Sequence, residues 1–437
     1  MSSPLFLPVS IMFRHLVAAA LAPLFGLFIV CVGNGFASSL TTLRLDAAGA
    51  SATAVGLVSS SYFIGLTLGA IFNDRLIVRI GHIRAYSAFA ALIAVSVLVQ
   101  SLFVDVWGWF FLRLVYGWAI VGVFLVVESW LLLAADAKMR GRLLAFYMIA
   151  LYGSSMIGQA QLGALDAWGT EAPFLLAGIL AILSLLPIVL LPRHSPHVER
   201  VEPLSPLKLL RMSPTGVISC FTSGLAIAAV YTLLPLYLQR IGLTVGEIGT
   251  MMAATICGAM VLQYPVGRWS DKRGRLSVLI VLGALCTALS VAVLLLPPTP
   301  VVLMVLLFLI GGGIFAIYPV AVSHAADRAQ AESLVPMIQG LLLINSIGSA
   351  MSPIAISGMM ARIGPNGLFW AFAGMHLALL AFLVWRRKER PEPVPVAPFA
   401  AAAQMSPTGV EMRVTEELVQ GALDREAVEE TGRPAGS

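Results

Sequence analysis

Gly267-Arg268-Trp269-Ser270-Asp271-Lys272-Arg273-Gly274-Arg275 is a short polar stretch with five charged residues, set between apolar runs near residues 248–268 and 276–296. Each run is about 20 residues long, and an α-helix rises 1.5 Å per residue, so each can cross a ~30 Å hydrocarbon layer. A charged stretch that turns on a glycine between two such runs is a loop at a membrane surface. Its four basic residues assign that surface to the cytoplasmic side, because Lys and Arg accumulate in short cytoplasmic loops.

The same alternation runs through the chain. Of 437 residues, 59% are hydrophobic and 11% charged, against roughly 45–50% and 25% in average soluble domains, which excludes an ordinary soluble fold. Further runs lie near 16–38, 55–73, 85–103, 107–133, 143–165 and 172–191 before the polar residues 193–214, and near 216–238, 300–322, 334–360 and 366–386 after them. The expected fold is an all-α membrane protein with twelve transmembrane helices. It divides into an N-terminal six-helix bundle (1–192), a cytoplasmic linker (193–215), a C-terminal six-helix bundle (216–387) and a cytoplasmic tail (388–437), disordered or carrying a short amphipathic helix. The first run, of about 22 residues, is too long for a signal-peptide core and reads as an uncleaved helix.

Charge supports this layout. Lys and Arg fall almost wholly on alternate loops, with only Arg44, Arg240 and Arg362 on the opposite side, so both termini are expected in the cytoplasm and the chain in the cytoplasmic (inner) membrane. Dispersed on short loops, the basic residues do not form a nucleic-acid surface. Cys31, Cys220, Cys257 and Cys286 sit inside apolar runs without metal-ligand spacing, which reads as core packing. No metal or cofactor is expected. Neither an ATP-binding Gly-x4-Gly-Lys-Ser/Thr loop nor a catalytic constellation is present, so the chain does not read as an enzyme.

The halves look duplicated. Gly122 to Asp136 aligns without gaps on Gly313 to Asp327, sharing the glycine, a phenylalanine and a terminal Ala-Ala-Asp, and the loop around Gly81 matches that around Gly274 at a separation of 193 residues. Carriers commonly build alternating access from such repeats.

Gly267 to Arg275 resembles the major facilitator superfamily signature Gly-x-x-x-Asp-x-x-Gly-Arg. The first-half loop from Asp74 to Arg84 keeps Gly81 and a basic end but has Val78 where the signature aspartate would stand. With Val127-Glu128-Ser129-Trp130-Leu131 and Gln263-Tyr264-Pro265-Val266-Gly267, the wording resembles the bacterial YcaD-type branch of that superfamily. The resemblance implies two six-helix bundles rocking about a central cavity, driven by a gradient. It also implies a cytoplasmic gate drawn from Gly267, Asp271, Gly274 and Arg275 with Arg79, Gly81, Arg84, Asp136 and Asp327. In such a gate Gly267 permits close helix approach, Asp271 caps a neighbouring helix and Arg275 pairs with an acid.

Charges within spans are costly and mark function. Arg113 and Glu128 share the fourth helix, 15 residues and so roughly 22 Å apart, too far to pair. Arg113-Leu114-Val115-Tyr116-Gly117 resembles an Arg-x-x-x-Gly element of proton-coupled members, where the arginine serves proton transfer or an anionic substrate. The competing reading has Arg113 snorkelling to the periplasmic interface. Glu128 reads either as a protonatable coupling acid or as a partner of Arg79 or Arg84 in the gate. Asn34, Gln159, Gln161, Tyr231, Gln263, Tyr318 and Asn345 are candidate cavity residues, with interhelical bridging as the alternative.

These features read as a monomeric carrier of a small organic molecule in a lipid bilayer, working by proton-coupled efflux. A facilitator, a proton symporter, and a non-transporting sensor or scaffold on a carrier fold are the alternatives.

Overall fold

The computed structural model of the chain describes residues 9–133, 137–190, 205–327, 329 and 333–389. Most of the linker, Asp136 and the tail lie outside the described residues. The first half comprises α1 (Val9–Ala47), α2 (Ala52–Ile80), α3 (His82–Leu102), α4 (Val106–Leu133), α5 (Ala137–Asp166), α6 (Ala172–Leu183) and α7 (Leu185–Val189). A short α8 (Pro206–Met212) precedes α9 (Pro214–Thr232), α10 (Leu234–Arg240), α11 (Val245–Arg273), α12 (Arg275–Leu295), α13 (Pro300–Ala326), α14 (Leu334–Ile363) and α15 (Gly367–Glu389).

Among the described residues, eleven stretches are long and apolar enough to cross a membrane. The expectation of twelve is therefore met by eleven on length and composition. The remaining long helix, α5, opens with Lys138, Arg140 and Arg142 and packs along α1 and α11. Faces that a soluble protein would hide are exposed, as at Phe25, Phe72, Phe111 and Ile179; these are the faces lipid covers.

The helices overrun their apolar runs because capping, not hydropathy alone, decides where they end. Ser51 accepts from the Ala54 N–H at the start of α2 (3.2 Å), and Thr244 with Glu247 forms a capping box on α11, satisfying N–H groups that have no partner within the helix. Two runs read as single helices are broken. Pro235 lacks an N–H for the Tyr231 carbonyl, and Pro187 lacks one for that of Leu183, so α9 gives way to α10 and α6 to α7. Within the span read as linker, α8 is helical and buries Leu209.

Glycines set the helix crossings, and the crossings repeat. On α2 and α4, a Cβ at Gly65 would strike the Leu114 carbonyl and one at Gly117 that of Tyr62. On α11 and α13, Gly258 meets the Phe308 carbonyl and Gly311 that of Thr255, each position 193 or 194 residues further on. Likewise Gly35 against Ser155 and Gly158 against Val32 recur as Gly224 against Asn345 and Gly348 against Phe221. The packing register between α4 and α13 differs by three residues from that given by the Gly122 and Gly313 match. Three residues is close to one helical turn, so both registers keep the same face.

The halves meet along α2 with α14, α5 with α11, and α1 with α9 and α10.

Candidate functional site

A cavity of about 500 Å³, its open mouth included, lies midway along the helices between the halves. Asn34, Gly35 and Ser38 of α1, Tyr62 of α2, Phe124 of α4 and Leu151, Tyr152 and Ser155 of α5 form one wall. Ile227 and Tyr231 of α9 and Phe315 of α13 form the other. Phe315 stands edge-on to Tyr152 across the halves and to Tyr231, with centroids 6.0 and 5.8 Å apart.

Arg113 is 1% exposed behind this wall. Its Nη2 donates to Ser38 Oγ (2.9 Å), and its Cζ lies 4.6 Å from the Tyr62 ring centroid and 4.8 Å from that of Tyr116. The ring faces attract the cation. Tyr62 in turn donates to Asn34 Oδ1 (3.4 Å). Nε and Nη1 of Arg113 have no hydrogen-bond partner among the described residues. This burial excludes the snorkelling reading.

Glu128 is fully buried further along α4 and accepts from the Tyr147 hydroxyl of α5 (2.5 Å). The expected pairing with Arg79 or Arg84 is not formed. Both arginines are exposed, because each lies beside the Gly81 turn on a surface-facing side of its helix.

The two ends of the molecule differ. At one end the halves are latched: Arg240 holds Asp46 through Nη2 and Nε (2.8 and 3.1 Å), and Thr42 donates to the Thr232 carbonyl (2.9 Å). Gly163 lies against Gly246, and a Cβ at Gly56 would strike Ser357. At the other end Arg275, 1% exposed, pairs with Asp327 at 2.5 Å and more loosely with Asp271 at 3.6 Å. Gly274 and Gly81 take nearly the same backbone conformation there, φ 85° and 86°, which no side chain adopts easily.

The sequence model of the Major Facilitator Superfamily matches residues 23–335 and 241–422. The MFS-type transporter YcaD of Salmonella enteritidis PT4 is 32% identical over 376 residues, covering 84% of this chain and 96% of the relative. The MFS-type transporter Ent638_1421 of Enterobacter sp. strain 638 is 32% identical over 377 residues, at the same coverage. The chain belongs to the major facilitator superfamily.

Solved structures share its fold. The nucleoside transporter NupG superposes with a TM-score of 0.71 at 15% identity, covering 85% of this chain and all of that one. A D-xylose-proton symporter gives 0.66 at 16%, covering 85% and 97%. As a major facilitator protein the chain is a multi-pass membrane transporter and not an enzyme, with a small-molecule substrate and a lipid bilayer as its surroundings.

Within this superfamily frame, Asn34 and Tyr231 line the cavity, whereas five other sequence candidates do not. Gln159 is spent between helices, its Nε2 donating to the Gly35 carbonyl (2.6 Å) and to Ser39 Oγ (2.9 Å). Asn345 donates to the Cys220 carbonyl (3.0 Å). Gln161 points outward and is exposed, while Gln263 and Tyr318 are buried away from the cavity. Gly267 is buried, and Asp136 lies outside the described residues.

Sequence reading missed Ser38, Tyr116, Phe124, Tyr152, Ser155, Ile227 and Phe315. For most of these no local signal exists. Arg113 and Tyr116, spaced i to i+3 on one helix face, did carry one.

Proposed function

We propose that this protein is a secondary carrier of the cytoplasmic membrane that moves a small organic molecule by alternating access, coupled to protons in the direction of export. The observation that carries the reading is a central cavity walled by both halves and latched at the Asp46–Arg240 end. Its route to solvent then runs toward the Asp271–Arg275 end, taken as cytoplasmic along with both termini. The bundles are residues 1–192 and 216–387, with α5 as the twelfth span.

Transport follows from exchanging latches. Breaking the Asp46–Arg240 contact and the glycine crossing of α5 with α11 would open the cavity outward. The Asp271, Arg275 and Asp327 cluster, anchored within the second half, steers closure at its own end. Glu128, buried on α4 and accepting a hydrogen bond from Tyr147, is the proton-exchanging group. Arg113 serves the cavity through Ser38 and Tyr62.

The test is proton movement in proteoliposomes under an imposed pH gradient, while amphipathic drugs, sugars and organic anions are screened. Substrate-dependent proton flux supports the proposal. Substrate movement that ignores the gradient would replace it with a facilitator, and flux opposite to export would overturn the direction.

A further inference from the structure

We propose that α8 binds anionic phospholipid, its leucines entering the acyl layer and its two cations meeting the headgroup phosphates. Successive residues of a helix turn by about 100°, so α8 has three distinct sides. Leu209, fully buried, faces the bundle, where α8 packs on α9 and α14. Turning one way from Leu209 come Leu210 and then Leu207, 43% and 63% exposed. Turning the other way come Lys208 and then Arg211, both exposed. One flank is therefore apolar and the other cationic, the division that lets a helix lie in the boundary between hydrocarbon and water.

The chain connection fixes where this division lies. Ser213 alone separates α8 from α9, and α9 and most of α14 are membrane spans. The short link holds α8 where these spans reach the surface, and its apolar flank meets acyl chains there. The surface is that of the Asp271–Arg275 end, because α9 and α10 run away from it to Arg240 and α11 returns to it at Gly274. Both α9 and α14 belong to the second half, so lipid held by α8 tethers that half.

The cations select the lipid. Neither Lys208 nor Arg211 pairs with a carboxylate among the described residues, and both are long enough to lie along apolar surface with the charge at the phosphates. A second group stands at the same end. Trp385, 55% exposed, and Arg387, also exposed, lie near the end of α15, which likewise packs on α9 and α14. The guanidinium of Arg386 lies 6.0 Å from the Trp385 ring centroid. Tryptophan favours the headgroup level, so α8 and the end of α15 bring their cations to one leaflet around the same two helices. Each basic side chain at a membrane surface favours anionic lipid roughly fivefold, an attraction that a zwitterionic headgroup lacks.

The experiment places a bimane label on Leu210→Cys in the full chain, with Cys31, Cys220, Cys257 and Cys286 replaced by alanine. The labelled protein is held in nanodiscs containing doxyl-labelled phosphatidylglycerol or doxyl-labelled phosphatidylcholine at equal mole fraction. Quenching is expected to be severalfold stronger with phosphatidylglycerol, and aqueous iodide should leave the label bright. A label on Lys208→Cys should instead be quenched by iodide. Lys208→Gln with Arg211→Gln should make the two lipids quench the Leu210→Cys label equally while iodide still fails. Equal quenching by both lipids in the parent protein, or a preference that survives the double variant, overturns the proposal. So does quenching by iodide and by neither lipid, which would turn this flank to water. Protection from lipid and iodide alike that is relieved by deleting residues 391–437 would assign the flank to the tail and equally overturn it.

Discussion

Arg275 and Asp327 form a pair in which both side chains are 1% exposed. Removing one member of such a pair leaves an uncompensated buried charge and costs about 3–5 kcal/mol. Asp327→Ala should accordingly lower the thermal unfolding temperature in detergent by several degrees, while Asp271→Ala, at the looser 3.6 Å contact, should do much less. Equal effects would contradict the geometry. Gly274 and Gly81 make a second residue-scale prediction. With φ near 85° and ψ of 139° and 155°, each occupies a region nearly closed to other residues, so alanine at either should destabilise by about 1–3 kcal/mol in the same measurement. Glu128→Gln should abolish substrate-dependent proton flux yet preserve counterflow exchange. Loss of both would make Glu128 structural.

At the scale of elements, the latch between α1 and α10 is the contact most easily reversed. Asp46 and Arg240 are partly exposed, so their coupling is worth about 1 kcal/mol, or roughly fivefold in an equilibrium. Asp46→Arg should shift the carrier toward opening at that end, and adding Arg240→Asp should restore the balance, read as counterflow rate in the single and double variants. A double variant no better than the single ones would remove the pair from the gate. The spans and the Gly274 turn were legible in the sequence because hydropathy and loop chemistry are local properties. The breaks at α6–α7 and α9–α10 had only Pro187 and Pro235 as signals, and prolines inside α1, α11, α13 and α14 leave those helices continuous. The latch carried a faint signal, since Arg240 is one of three basic residues on its side.

Across the whole molecule, function rests on a duplicated frame. The glycine crossings recur at nearly constant separation in both halves, giving two similar bodies that can move against one another. The cavity between them could not be read from sequence. Its walls draw on six helices, and whether a polar residue faces a cavity or a neighbouring helix is settled only by packing. Gln159 and Asn34 looked alike as embedded amides, yet one bridges α1 and α5 while the other lines the cavity. The most direct test of alternating access needs no substrate. In a variant lacking Cys31, Cys220, Cys257 and Cys286, a cysteine replaces Ile227, and membrane-impermeant maleimide labelling is measured from each side of oriented vesicles. The account predicts labelling from the Asp271 side in the resting protein and a shift to the opposite side when Asp46→Arg is added. Labelling from both sides at once, or a pattern indifferent to Asp46→Arg, would contradict it.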